Sequence, residues 1–209
     1  RLRARTPAPV LLIDGDFDYQ SEARYQDALD ALGVPYDRWE LGFLKPRPTL
    51  PPSSTVAAYP SVILFAGHDF RPKGNLPIEG QALMADYLES GGRLLFVSED
   101  YLYARGSDPY RAGAFFHQRY LGVQSWVDNG GGAYQGPIRG QSASVLEGIG
   151  PCQLRYHDAR NDYSDALVPA AGALAAARST TAETIATQVA NRGFKTLFLA
   201  FDFGQLVPG

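Results

Sequence analysis

The sequence predicts an α/β fold with a mostly parallel central sheet, helices on both faces and a β-rich elaboration in the C-terminal half. Continuous apolar runs at residues 10–13 (VLLI) and 62–66 (VILFA) are typical of strands buried on both faces of a sheet. Segments with helical periodicity alternate with these runs. Such alternation favours right-handed βαβ crossovers, which bring the strands into parallel pairing.

Residues 10–40 are predicted to form the first βαβ unit. An acidic loop at 14–18 follows the first strand, and the next apolar residues recur at the spacing of one helix face: Tyr25, Ala28, Leu29 and Leu32. Gly33 is expected just beyond the end of this helix, where a left-handed backbone favours glycine. Residues 34–40 supply the second strand.

The rest of the sheet is predicted from four further segments. After a proline-rich stretch at 41–60, strands are expected at 62–66 and 93–97, with a helix beginning at Pro77 between them. Residues 183–190 and 194–201 form a predicted hairpin whose second strand rejoins the central sheet.

The Gly- and Ala-rich residues 122–180 contain only short strand-like pieces, at 124–128 and 153–156. We interpret them as an elaboration on the same sheet, so that residues 1–209 form one domain. A helix is expected within 109–121, with His117 as a partly buried residue of that helix.

Composition excludes several classes of protein. The 209 residues carry a formal net charge of −3 and contain one cysteine, Cys152, so an internal disulfide is impossible. No basic patch indicates nucleic-acid binding, and no run reaches the ~18 apolar residues of a membrane span. The chain begins at Arg1 without an initiator Met, and we therefore expect a piece of a longer precursor.

Several segments together resemble one known family: VLLIDGDFDY, YQDALDALGVPYDRWE, YPSVILFAGHD, YLESGGRLLFVSEDYLY, YLGV, YSDALVP and FKTLFLAFDFGQL. The combination is similar to class I glutamine-amidotransferase-like domains, which occur as accessory modules of large secreted bacterial proteins. Such modules often lie beside immune-inhibitor-A-type or subtilisin-like peptidase domains. The resemblance implies a flavodoxin-like sheet with a crevice at the carboxyl ends of its strands.

The sequence departs from that family at the residues that perform its chemistry. The resemblance places the nucleophile elbow at residues 97–100, where there is no Cys and no glycine flanks Ser98. The later His-x-Glu pair is also missing, since Asp158 and Ala159 follow His157. Amidotransferase activity is therefore not expected.

Alternating carboxylates after the first strand predict a possible calcium site at Asp14, Asp16 and Asp18. Hard oxygen ligands suit calcium, and Glu99, Asp100 or Asp202 from neighbouring strand ends could complete the set. An EF-hand loop is excluded, because tyrosines stand where its turn glycine and bidentate Glu belong. The alternative is that these carboxylates cap the following helix and otherwise face water.

Two further strand ends carry a conceivable catalytic set. Ser98 and Glu99 end one strand, and His68 and Asp69 end another, so that a Ser–His–acid arrangement would face the same crevice. The leading expectation is instead that no residue is catalytic. The histidines and the single cysteine have no spacing for a zinc site.

The leading hypothesis is a non-catalytic accessory or interaction domain of a larger secreted or cell-surface bacterial protein, located outside the cell. Its expected partners are neighbouring domains of the same precursor or other subunits of an extracellular assembly, with no cofactor unless calcium binds. Two alternatives remain open. One is a hydrolase with a rebuilt Ser/His/acid site, and the other is a structural unit of an extracellular assembly.

Overall fold

A computed structural model of the chain describes residues 7–16, 21–41, 50–67, 76–154, 162–190 and 193–208 and has an eight-stranded sheet at its centre. Five neighbouring strands are parallel, in the order β2 (Tyr36–Glu40), β1 (Val10–Asp14), β3 (Ser61–Gly67), β4 (Arg93–Ser98) and β11 (Lys195–Leu199). Antiparallel strands then extend the sheet: β10 (Thr184–Val189), β9 (Leu174–Arg178) and β6 (Arg139–Gly140). The predicted mostly parallel sheet and the terminal hairpin are confirmed.

Helices pack on both faces of this sheet, as predicted. They are α1 (Glu22–Ala31), α2 (Ser53–Val56), α3 (Ile78–Glu89) and α4 (Tyr101–Arg105). Successive side chains of a strand point to opposite faces. Leu11 of β1 accordingly belongs to the same apolar core as Met84 of α3, whereas Leu12 belongs to the core that contains Tyr25 and Leu29 of α1. Among the described residues, no helix combines the length and apolar character needed to cross a membrane.

The elaboration contributes to the main sheet and also forms two small sheets. Strand β5 (Val123–Val127) pairs with β8 (Ala166–Pro169), and β7 (Cys152–Leu154) pairs with β12 (Leu206–Pro208). The predicted strands at 124–128 and 153–156 are thus present with slightly shifted bounds, as far as the described residues reach. Pairing of β9 and β6 with the edge of the main sheet was not predicted, because their Ala- and Gly-rich sequences lack a clear period.

His117 opens a short π-helical turn, His117–Leu121, and is buried. Its ring lies 5.2 Å from that of Trp126 and 5.6 Å from that of Phe115. Burial lowers the pKa of His117 to about 4, which leaves the imidazole neutral at physiological pH. The expectation of a helix residue is confirmed, and His117 is more fully buried than expected.

The turn at residues 141–149 folds back against the edge strand β6. The Gly140 N–H donates to the Ile149 carbonyl at 2.9 Å, and the Gln141 N–H donates to the Ala176 carbonyl at 2.9 Å. A Cβ atom on Gly140 would lie 1.6 Å from the Leu146 carbonyl oxygen. The close approach of two backbone segments therefore requires glycine at this position.

We expect Gly140→Ala to reduce the free energy of unfolding by on the order of 3 kcal/mol, because the new methyl group displaces backbone rather than a flexible side chain. Gly33→Ala is the control, since Gly33 has φ of +64° but open space around its Cβ position. That change should cost about 1 kcal/mol, from backbone conformation alone. Denaturant titration measures both values, and equal losses would contradict the close-packing argument.

Candidate functional site at the carboxyl edge of the sheet

Four acidic side chains are buried together at the carboxyl edge of the parallel strands. Asp14 ends β1 and Asp16 follows it, Glu99 comes directly after β4, and Asp202 follows β11. Asp14 is the most exposed of the four, at 6%. Buried carboxylates are uncommon unless they are paired or bind a cation, so this edge is the first candidate for a functional site.

Backbone hydrogen bonds set the positions of these residues. The Gly15 N–H donates to the Phe65 carbonyl at 2.8 Å, and the Glu99 N–H donates to the Gly67 carbonyl at 2.9 Å. The Asp202 N–H donates to Oε1 of Glu99 at 3.2 Å. The ends of β1, β3, β4 and β11 are thus connected directly, and the carboxylates are held by rigid elements.

Asp14 and Asp16 differ in how their charge is compensated. Nη2 of Arg38, on β2, donates to Oδ2 of Asp14 at 2.6 Å. Asp16 accepts a 2.8 Å hydrogen bond from the Ser21 N–H at the start of α1. Burial, and then the neighbouring charge of Asp14, raise the pKa of Asp16 to about 7. The Asp16 carboxylate is consequently the less well compensated of the two.

Glu22, the first residue of α1, completes a group of three carboxylates. Single carboxylate oxygens of Asp14, Asp16 and Glu22 all lie within 4.8 Å of one another. The predicted metal set was Asp14, Asp16 and Asp18. The structure brings its first two members together, whereas Asp18 lies outside the described residues. Sequence reasoning missed Glu22, although an acidic residue in the first turn of a helix directly after an acidic strand end was an available signal.

The side chain of Tyr25 lies over the same edge. Its ring stacks on Phe65 with centroids 4.1 Å apart, and the residue is 3% exposed. Burial, and then the charges of Asp202, Asp16, Glu99 and Asp14, raise the pKa of Tyr25 well above its ordinary value. The hydroxyl is thus close to all four carboxylates, yet it has no hydrogen-bond partner among the described residues.

Ser98, the predicted candidate nucleophile, is fully buried at the end of β4. Its Oγ donates to the Gly67 carbonyl at 3.4 Å, so the hydroxyl faces the neighbouring strand. His68 and Asp69, the other members of the conceivable triad, lie outside the described residues. Glu99, the remaining candidate, is 1% exposed and accepts the Asp202 N–H.

A further buried carboxyl group belongs to Asp165, in the loop before β8. The Asn129 N–H donates to its Oδ1 at 3.2 Å, while Oδ2 is buried without a hydrogen-bond partner among the described residues. Burial, and to a lesser degree the charges of Asp128 and Asp100, raise the pKa of Asp165 to about 8. The group is therefore mostly protonated at neutral pH in the folded chain.

Two concave surfaces lie away from the acidic edge. A polar recess of about 560 Å³ in the elaboration is lined by residues including Asn129, Asp162 and Glu183. An apolar groove of about 280 Å³ crosses the sheet and is lined by residues including Ile63 and Leu197. Neither contains a group of carboxylates with oxygens as close as those of Asp14, Asp16 and Glu22 among the described residues.

Comparison of the sequence with protein-family models and with curated proteins finds no match. Among solved structures, the fold is similar to that of a protein from Thermoplasma acidophilum that is described as a GMP synthase subunit, with a TM-score of 0.54 and 12% identity. The match covers 94% of this chain and 85% of that one.

It is also similar to the exo-β-1,4-mannosidase Op5Man5 from Opitutaceae bacterium strain TAV5, with a TM-score of 0.52 and 13% identity. That match covers 95% of this chain but 32% of the mannosidase chain, so the shared fold accounts for about a third of the larger protein. At such low identity the likeness concerns the fold alone. It confirms the predicted flavodoxin-like, glutamine-amidotransferase-like architecture.

The raised pKa of Asp165 should make the stability of the folded chain depend on pH. Its pKa is higher in the folded chain than in the unfolded chain, where it is about 3.9. The unfolded state therefore loses this proton first, and the free energy of unfolding falls as the pH rises from about 4 to about 8. Asp165→Asn, which does not titrate, should raise the melting temperature little at about pH 4 and by about 5 °C or more at pH 8. The exposed Asp27→Asn is the control, and an Asp165→Asn effect independent of pH would refute the assignment.

Proposed function

We propose that this chain is a non-catalytic accessory domain of a larger secreted or cell-surface bacterial protein. Its partners would be neighbouring domains of the same precursor or other subunits of an extracellular assembly. The observation that carries the proposal concerns the residues at the end of β4, where the resemblance places the nucleophile. That position is occupied by the buried Ser98, followed by the buried carboxyl groups of Glu99 and Asp100.

The carboxyl groups of Glu99 and Asp100 disfavour nucleophilic catalysis by Ser98 for electrostatic reasons. A serine nucleophile needs a base that takes its proton and donors aimed at the oxyanion that develops. Carboxylates beside Ser98 disfavour negative charge on an alkoxide or a tetrahedral intermediate. The Ser98 hydroxyl, 3.4 Å from the Gly67 carbonyl oxygen, is directed at a backbone acceptor. The Glu99 N–H, a possible oxyanion donor, already donates to that same carbonyl.

The occurrence of the fold within a longer chain supports an accessory role. In the mannosidase, the region similar to this chain accounts for 32% of the chain, so the fold can serve as one part of a larger enzyme. The resemblance of the sequence to accessory modules of secreted bacterial proteins favours the same interpretation. Fold alone does not specify activity, and the argument therefore depends on the strand-end residues.

The purified chain should show no glutaminase, esterase or peptidase turnover above buffer, and Ser98→Ala should leave every such measurement unchanged. A serine-directed fluorophosphonate probe should not label Ser98, because the hydroxyl is fully buried. Peptide mapping after labelling identifies any modified serine. Ser125→Ala serves as a matched control for adventitious reaction, because Ser125 is exposed.

The contrary result is labelling of Ser98 that disappears in His68→Ala while the melting temperature stays unchanged. It would replace the accessory domain with a hydrolase that uses Ser98 and His68, with Asp69 or Glu99 as the acid.

A further inference from the structure

The three carboxylates at the start of α1 are spaced as ligands of one cation. Two oxygens that each lie about 2.4 Å from a calcium ion can be at most about 4.8 Å apart. The oxygens of Asp14, Asp16 and Glu22 satisfy this limit in every pair. Two of these residues are buried and Glu22 is half-buried, so the group borders solvent on the Glu22 side.

Two buried hydroxyl groups belong to residues that adjoin this group of carboxylates. The Tyr25 hydroxyl lies near the carboxylates of Asp14, Asp16, Glu99 and Asp202, and neither it nor Oγ of Ser21 has a partner among the described residues. Tyr25 is 3% exposed and Ser21 is 5% exposed. A buried polar group without a partner is costly, and these two indicate that the folded chain binds something more at this position.

Ser21 is also close to Asp202. A Cβ atom on Gly204 would lie 3.0 Å from Oδ1 of Asp202 and 3.2 Å from Oγ of Ser21. The start of α1 therefore packs against the turn that follows β11. Because the Ser21 N–H donates to Asp16 at 2.8 Å, a water molecule on an ion bound by Asp16 could reach the Ser21 hydroxyl.

The charge of the region also favours a cation. Arg38 contacts Oδ2 of Asp14, which leaves Oδ1 of Asp14 directed towards the Asp16 backbone N–H at 3.4 Å, a long hydrogen bond. Asp14 can therefore use Oδ1 for a metal and keep its ion pair with Arg38. The charges of Asp14 and Glu22 both act on Asp16, so a divalent ion would reduce the repulsion among these three carboxylates.

We propose that a calcium ion binds at the start of α1, with the carboxylates of Asp14, Asp16 and Glu22 as its protein ligands. The ligand set is made of oxygens alone, without His or Cys, which suits a hard cation. Calcium accepts irregular geometry and several waters, whereas magnesium demands near-ideal octahedral coordination. The ion would connect the first turn of α1 to the end of β1. The site is independent of whether Ser98 is catalytic.

The proposal is tested by thermal unfolding of the whole chain in chelator, in calcium and in magnesium. Calcium at a hundredfold its Kd should raise the melting temperature by about 5–10 °C, and magnesium should raise it less. Glu22→Gln should abolish most of the calcium shift. Glu79→Gln is the matched control, because Glu79 lies in the first turn of α3 and is not part of the group; it should leave the shift unchanged.

Asp16→Asn separates a ligand from a merely structural residue. The amide can keep the hydrogen bond from the Ser21 N–H but removes a buried negative charge, so the variant should melt higher than the original chain in chelator. It should nevertheless lose the response to calcium. A structural defect would instead lower the melting temperature under both conditions.

Terbium, which replaces calcium at oxygen sites, gives a direct binding measurement. The charges of Asp16 and Asp14 act on the Tyr25 hydroxyl, so this ring should be near enough to sensitise terbium luminescence, which calcium should quench competitively. Tyr25→Phe should reduce the luminescence while calcium still raises the melting temperature, and Glu22→Gln should abolish both effects.

Four results would overturn the proposal. They are an unchanged melting temperature in millimolar calcium, a calcium shift equal in Glu22→Gln and Glu79→Gln, a larger shift with magnesium than with calcium, and terbium luminescence that calcium does not displace.

Discussion

Parallel pairing of β1, β3, β4 and β11 is the constraint on which the acidic edge depends. In a parallel sheet all carboxyl ends lie on the same side, so residues just beyond each strand meet regardless of their separation in sequence. Glu99 and Asp202 are 103 residues apart and are joined by a hydrogen bond. The backbone hydrogen bonds Gly15–Phe65 and Glu99–Gly67 fix the positions of the carboxylates along the strand direction. A register shift in any of these strands would therefore separate them.

Gathering carboxylates in a buried place is unfavourable by itself, since each loses hydration and repels the others. The chain offsets part of this cost locally. Arg38 neutralises Asp14, and backbone N–H groups of Ser21 and Gly204 donate to Asp16 and Asp202. The raised pKa of Asp16 and of Asp202 shows that the compensation is incomplete. Incomplete compensation at a rigid edge is typical of a site that binds a ligand.

The same edge explains how a shared fold can lose one kind of chemistry and favour another. In this architecture the strand ends present side chains to a crevice, and the identity of those side chains determines what the crevice can do. Here the Ser98 hydroxyl donates to the Gly67 carbonyl, and the buried carboxyl groups of Glu99 and Asp100 follow it directly. Such a set stabilises positive charge and destabilises an anionic transition state. The proposed cation site and the proposed lack of catalysis at Ser98 therefore rest on the same electrostatic argument.

The sequence by itself determined the parallel core and showed that no cysteine stands at residues 97–100, where the resemblance places a nucleophile. Apolar runs such as 10–13 and 62–66 specify buried strands locally, and a missing Cys at 97–100 needs no coordinates. The presence of α1 and α3 likewise followed from periodicity, and Gly33 indicated where α1 ends. Asp14 and Asp16 could be identified as a pair because they are neighbours along the chain.

Only the tertiary structure decided which distant groups join that pair. Tyr25 reaches the acidic edge through the packing of α1, which leaves no local signature. The choice of Glu22 over the other candidate carboxylates depends on distances between side chains. The protonation of Asp165 and the pairing of β9 with β10 also depend on burial and on long-range hydrogen bonds. The local sequence pattern indicates whether each residue favours a buried or an exposed position. A site, however, is defined by contacts between distant residues, and these form only when the chain is folded.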